Sequence, residues 1–252
     1  MTENTLPTRS DRLETDSKRK KRGVALFVRD LLIIFVVALL ISFLIKTFLI
    51  RSFYIPSGSM EDTLLINDRI IVNQLEPKLV PVERGDVVVF RDPGGWLLPQ
   101  PPVEQNPIVA GLDWTLSIVG LSAPDSNDHL IKRVIGLPGD HVVCCNALGQ
   151  MSVNGVPLNE PYVMLPPGTT QVSKDDFDVV VPEDSLWVMG DNRYNSKDSR
   201  YNGDTPGKGY VPMDNVVGRA LVISWPVSRW TWLDDYPEVF KGVEAGKPGA
   251  AR

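Results

Sequence analysis

Residues 31–50 read LLIIFVVALLISFLIKTFLI. As an α-helix rising ~1.5 Å per residue, this run covers ~30 Å, the hydrocarbon thickness of a bilayer. Leu, Ile, Val and Phe occupy every side of such a helix, and no Pro or Gly interrupts it. Its one charge, Lys46, lies a turn from the far end, where a long side chain can snorkel to the interface. A buried core helix is the competing reading for a run of this kind. A cleavable leader is opposed by the run itself, which continues past Ser42 to Ile50 with no A-x-A-like site. The stretch is therefore read as one transmembrane helix.

On its N-terminal side stand Lys18, Arg19, Lys20, Lys21 and Arg22, whereas only Arg51 follows at once on the other side. The positive-inside rule then predicts a cytoplasmic basic tail, residues 1–30, and an extracytoplasmic body from residue 51 on. Residues 1–30 hold 8 Lys/Arg against 5 Asp/Glu, so the remainder is more acidic than the whole-chain net charge of −5. An acidic body argues against nucleic acid as a partner.

Beyond the span the pattern changes to short apolar runs broken by Gly, Pro, Asp and Asn. Strands are predicted at 52–55, 64–66, 69–72, 86–90, 130–135, 141–144, 151–153, 186–189 and 216–225. These runs are rich in Val, Ile and Phe and are separated by turn residues such as Asn154-Gly155 and Pro138-Gly139-Asp140. No second long helical period occurs, so the domain at 51–240 reads as mainly β. Residues 92–128 form a Pro/Gly-rich insertion too long for a compact core, either a surface excursion, a membrane-facing flap or an inert insert. Residues 241–252, rich in Gly, Ala and Pro, read as a flexible C-terminal tail.

Cys144 and Cys145 are adjacent. Free thiols, a strained vicinal disulfide in an oxidising compartment, and a reactive cysteine all stay open, because neighbouring Cα atoms sit closer than a disulfide usually requires. The only histidines, His129 and His141, lack a ligand cluster, so neither a metal nor a cofactor is expected. No G-x-S-x-G, Walker A or dinucleotide fingerprint is present.

Three segments could carry chemistry. Tyr54-Ile55-Pro56-Ser57-Gly58-Ser59-Met60 follows the span almost at once. Pro56 favours an extended residue before it, and Gly58 permits a sharp path between two serines. In 129–136, strand alternation sets Ile131, Arg133 and Ile135 on one face and Lys132 with Val134 on the other. A lysine on an apolar face loses charge through burial and becomes a candidate base near neutral pH. The third segment, 190–200, is a polar loop ending a strand, able to hold a neighbour by hydrogen bonds. An ordinary loop, a solvent-facing lysine and a solvated turn are the bland counterparts.

Together these pieces resemble the bacterial type I signal peptidases, the Ser/Lys leader peptidases of the membrane. The likeness rests on the span followed in order by IPSGSMEDTLLINDRIIVNQ (55–74), RGDVVVF (84–90), IKRVIGLPGD (131–140), GDNRYNSKDSR (190–200) and GYVPMDNVVGRA (209–220). It implies a coiled β-sheet Ser/Lys protease domain anchored by one N-terminal transmembrane helix. Ser59 would be the nucleophile and Lys132 the general base. Ser57 would join the Ser59 N–H in an oxyanion hole, and Ser196 would orient Lys132 by a hydrogen bond. Asp198 and Arg200, with Arg133, would form a supporting ion pair. Phe53, Ile55 and Ile131 would line pockets for Ala-like side chains. The partners implied are signal-peptide-bearing preproteins, the lipid bilayer and a nearby export machinery, all at the bacterial cell membrane. Tyr194 stands where many relatives carry an acid. The rival readings are another Ser/Lys hydrolase of related fold that cleaves itself, and a non-catalytic membrane-tethered β-domain.

Overall fold

The computed structural model describes residues 26–43, 49–97 and 128–246. It divides into two units, Met1–Thr47 and Phe48–Arg252. In the first, the described part is one helix, α1 (Leu26–Phe43), whose large apolar side chains are exposed. Its 18 residues are long and apolar enough to cross a membrane. The helix begins before the expected position 31, and Ile50, placed by sequence at the end of the span, instead opens a strand. There its backbone pairs with Asn73, a ladder that overrides the apolar character of the side chain.

The second unit is mainly β. The strands are β1 (Ile50–Tyr54), β2 (Arg69–Asn73), β3 (Val87–Arg91), β4 (His129–Gly136), β5 (His141–Cys144), β6 (Ser152–Val153), β7 (Val156–Pro157), β8 (Phe177–Val180), β9 (Ser185–Met189), β10 (Val211–Pro212), β11 (Val216–Trp225) and β12 (Thr231–Trp232). Eight form one sheet in the order β1-β2-β11-β3-β4-β9-β10, with β12 on β11. The other four form a small sheet, β7-β6-β5-β8. The described pairings are all antiparallel.

The large sheet coils because its register slips. β11 shifts against β2 and β3, and β4 shifts against β9 between Val134 and Gly136. Gly218 sits in the β11 irregularity, where a Cβ would lie 2.1 Å from the Asn73 carbonyl oxygen, so no side chain fits. Three apolar clusters fill the body. The first holds Phe53, Ile55, Met60, Leu64 and Ile131; the third holds Val88, Phe90, Val134 and Val188. The second joins the sheets, packing Ile135 and Met189 of the large one against Val142 and Val153 of the small one, with Met151 beside them.

Residues 64–66 are a turn and not the strand expected. Leu64 N donates to Met60 O at 2.8 Å, and Leu64 is apolar because it is buried in the first cluster. Lys241–Gly246 is not a loose tail: Val243 is fully buried, and its carbonyl accepts from Asn154 Nδ2 at 3.4 Å. Of the insertion at 92–128, positions 98–127 lie outside the described residues. Its start is ordered: Asp92 accepts from the N–H groups of Gly94, Trp96 and Leu97, and Trp96 meets Phe90 edge-on. Cys144 and Cys145 are joined by a disulfide.

Candidate active site

After β1 the chain runs extended to Ser57 and then turns on itself. Glu61 N donates to Gly58 O at 3.3 Å, and the buried Met60 and Leu64 pin the turn into the first cluster. A Cβ at Gly58 would come within 2.8 Å of the Glu61 carboxyl group, which would have to move aside. Ser59, on this turn, is 8% exposed.

Lys132 lies on β4, directly opposite Val88 of β3. It shares its strand face with Leu130 and Val134, which pack in the third cluster, so a lysine is set on an apolar surface. It is 4% exposed. Its Nζ is 2.7 Å from Ser59 Oγ and donates to Ile131 O at 2.8 Å. Among the described residues it makes no ion pair. Burial therefore dominates and lowers its pKa from 10.5 to about 8, against the opposing pull of the Asp198 and Asp191 carboxylates. An amine poised this way can exist uncharged near neutral pH and take a proton from a touching hydroxyl. Ser57 Oγ is 3.4 Å from Ser59 Oγ.

The polar loop after β9 holds both halves in place. Asn192 N donates to Ser59 O at 3.2 Å, and Asn192 Nδ2 donates to Gly58 O at 3.2 Å. Thr63 Oγ1 donates to Asp191 Oδ2 at 2.5 Å. Asp191 also pairs with Arg133, the neighbour of Lys132, at 2.8 Å with both side chains fully buried. One carboxylate thus ties the serine turn to the lysine strand. Gly190 makes the close approach possible, because a Cβ would lie 2.4 Å from Ser59 O and 2.3 Å from Ser196 Oγ.

Three expectations need correction. Ser196 is buried beside the site, but its Oγ makes no hydrogen bond among the described residues, so the bond to Lys132 is absent. The hydroxyl is packed against the Gly190 backbone instead. Asp198 and Arg200 do pair, at 2.8 Å and wholly buried, and Asp198 also accepts from Gly190 N at 3.0 Å. Arg133 does not belong to that pair, because Asp191 occupies its fork. Phe53, Ile55 and Ile131 are buried together in the first cluster and do not line the cleft above Ser59 and Lys132. Alternation along β4 turns Ile131 to the face opposite Lys132.

The cleft, about 650 Å³, is bounded by Ser57, Ser59, Lys132 and Ser196, with Trp96, Leu97 and Leu130 as apolar lining. Tyr194 also lines it; its hydroxyl donates to Gln171 O at 3.0 Å, so the expected acidic position carries a neutral wall residue. Sequence reasoning missed Thr63, Asp191, Asn192 and the pair Arg193–Glu160. Arg193 is fully buried against Glu160, which also accepts from the Tyr162 hydroxyl at 2.8 Å. A charge-dense Asp-Asn-Arg run closing a buried apolar strand was the one available clue. Among the described residues no group of three His, Cys, Asp or Glu side chains is placed to hold a metal.

Comparison with known proteins agrees with the arrangement. Residues 28–225 match the family described as signal peptidase, peptidase S26. A probable signal peptidase I of Mycobacterium leprae is 38% identical over 239 residues, covering 85% of this chain and 81% of that protein. Signal peptidase I of Mycobacterium tuberculosis is 38% identical over 234 residues, covering 86% and 78%. The probable signal peptidase I-2 of a Synechocystis species is 39% identical over 203 residues, covering 81% and 76%. By these sequence matches the chain belongs to the S26 signal peptidase family of membrane serine peptidases.

Proposed function

We propose that this chain removes signal peptides from exported preproteins, with Ser59 as nucleophile and Lys132 as general base. The observation that carries the reading is the 2.7 Å contact between Ser59 Oγ and a buried lysine amine that has no ionic partner among the described residues. A serine hydroxyl is a poor nucleophile until a base takes its proton. Neutral Lys132 accepts it as Ser59 Oγ attacks the carbonyl before the cut. The tetrahedral oxyanion is met by the Ser59 N–H and the Ser57 hydroxyl; one such donor lowers the barrier by ~3 kcal/mol. Lys132, now charged, protonates the leaving amine, and water releases the acyl-enzyme by the reverse path. Asp198–Arg200 fixes the Gly190 backbone against the serine turn. Ser196 limits the space beside the amine.

Substrate choice follows from place as well. Ser59 follows Phe43, the last described residue of α1, by sixteen residues, so a helix held in a bilayer tethers the serine to the membrane that also holds a signal peptide's apolar segment. Tethering both partners to one membrane raises their effective concentration. The body is extracytoplasmic and near the export machinery, with the N-terminus cytoplasmic; protease added to intact spheroplasts then digests the body, and full protection contradicts this orientation. The direct test incubates detergent-solubilised enzyme, its Ser59→Ala form and its Lys132→Ala form with one A-x-A preprotein, reading the new N-terminus by mass. Cleavage by wild type alone is expected. Wild-type processing by the folded Ser59→Ala or Lys132→Ala protein overturns the corresponding role.

A further inference from the structure

We propose that the cleft selects preproteins bearing an acidic side chain within a few residues of the cut, and that Lys197 is the group that reads it. This inference rests on the peptidase reading above and adds a substrate class to it.

The case begins with charge accounting on the cleft wall. Lys174, Asp175 and Lys197 line it together with Ser59 and Lys132. Asp175 contributes the one carboxylate among these three. Lys174 donates to the Tyr194 carbonyl at 3.1 Å and lies 5.3 Å above the Tyr194 ring, and makes no ion pair among the described residues. Asp198, next to Lys197 in sequence, is wholly buried and committed to Arg200 and Gly190 N. Lys197 itself is exposed and has no hydrogen bond or ion pair among the described residues. Two amines thus outnumber the one carboxylate of Asp175 on this wall, which leaves it net positive.

That charge runs against its surroundings, because the body after the span is more acidic than the chain's net −5. An unpaired exposed amine adds nothing measurable to the fold. Placed on a concave wall with Trp96, Leu97 and Leu130 as low-dielectric neighbours, it focuses a positive potential where a peptide would lie. A carboxylate on that peptide is the complementary group. Lys197 follows Ser196, which itself lines the site, so the reading is confined to residues close to the scissile bond.

The test uses the full-length enzyme in neutral detergent and soluble peptides with one A-x-A core. A single Glu, or Gln in the matched peptide, is moved through successive positions on both sides of the cut. For wild type, kcat/KM for Glu over Gln is expected to reach about fivefold at one or two adjacent positions, mainly through KM. High salt should bring it towards one. Lys197→Glu should invert the ratio and favour a Lys peptide at the same position, while Lys197→Arg keeps the wild-type order; melting curves confirm that both variants fold. A ratio of one at every position, with cleavage proceeding, overturns the proposal, as does a preference unchanged in Lys197→Glu. A general rate increase on adding anionic phospholipid, lost in Lys197→Glu and blind to peptide charge, also overturns it, by assigning the cation to lipid headgroups. Failure of wild type to cut any peptide, or equal cutting by Ser59→Ala, refutes instead the peptidase reading beneath it.

Discussion

If the amine of Lys132 must be uncharged to act, its titration governs the acid side of the rate profile. Burial brings its pKa from 10.5 to about 8, which corresponds to about 3 kcal/mol in favour of the neutral form. About half of the enzyme then carries a competent base at pH 8, about a tenth at pH 7 and about a hundredth at pH 6. The assay is kcat/KM for a short A-x-A peptide across that range, since this quantity reports the free enzyme. It should climb with unit slope and level off above about pH 8. Asp198 opposes the burial effect, so Asp198→Asn should move the midpoint to lower pH even where it lowers the plateau. A rise still continuing past pH 10, as for an ordinary lysine, or a profile with no dependence between pH 6 and 8, refutes the account of a desolvated base.

The same burial has a cost. With its folded pKa lowered, Lys132 destabilises the fold below about pH 8, and the cost is relieved as pH rises towards 10.5, because the unfolded chain binds the extra proton. Lys132→Met should therefore abolish activity yet stabilise the body at pH 7 by up to about 3 kcal/mol, read as a rise in Tm. Gly190→Ala should cost about 1–3 kcal/mol and at least ~100-fold in kcat, since the added carbon meets Ser59 O at 2.4 Å. Arg193→Met should cost about 3–5 kcal/mol in denaturant unfolding by stranding the buried Glu160 carboxylate, and Glu160→Met in the same chain should restore most of it.

How much of this could be read from sequence depends on whether the determining contacts are local. β11 was expected at its observed bounds because six of its ten residues are Val, Leu, Ile or Ala. Lys132 was legible for a related reason: one strand's alternation is enough to place a lysine on an apolar face. β7, β10 and β12 span two residues each and have no period to detect; their partners define them. β8 has an alternating burial pattern, but Asp178 within it reads as turn. The misread turn at 64–66 shows the converse, since Leu64 is apolar for the sake of the core and Ile66 is left exposed. The supporting charges were hidden for a third reason. Asp191 meets Thr63 across 128 residues and Arg133 across 58, and Glu160 meets Arg193 across 33, and only the closed fold brings these groups into contact. Ser196 illustrates the limit of family resemblance: the residue is where it should be, but its hydroxyl makes no bond to the lysine.

One experiment addresses the serine and the lysine together. A serine-directed acylating inhibitor is added to wild type and to Lys132→Met at pH 8, and the adduct is mapped by peptide mass. The account predicts a single adduct on Ser59 in wild type and none, over the same time, when the amine is gone. An adduct on any other residue, or acylation of Ser59 at an undiminished rate without Lys132, contradicts it.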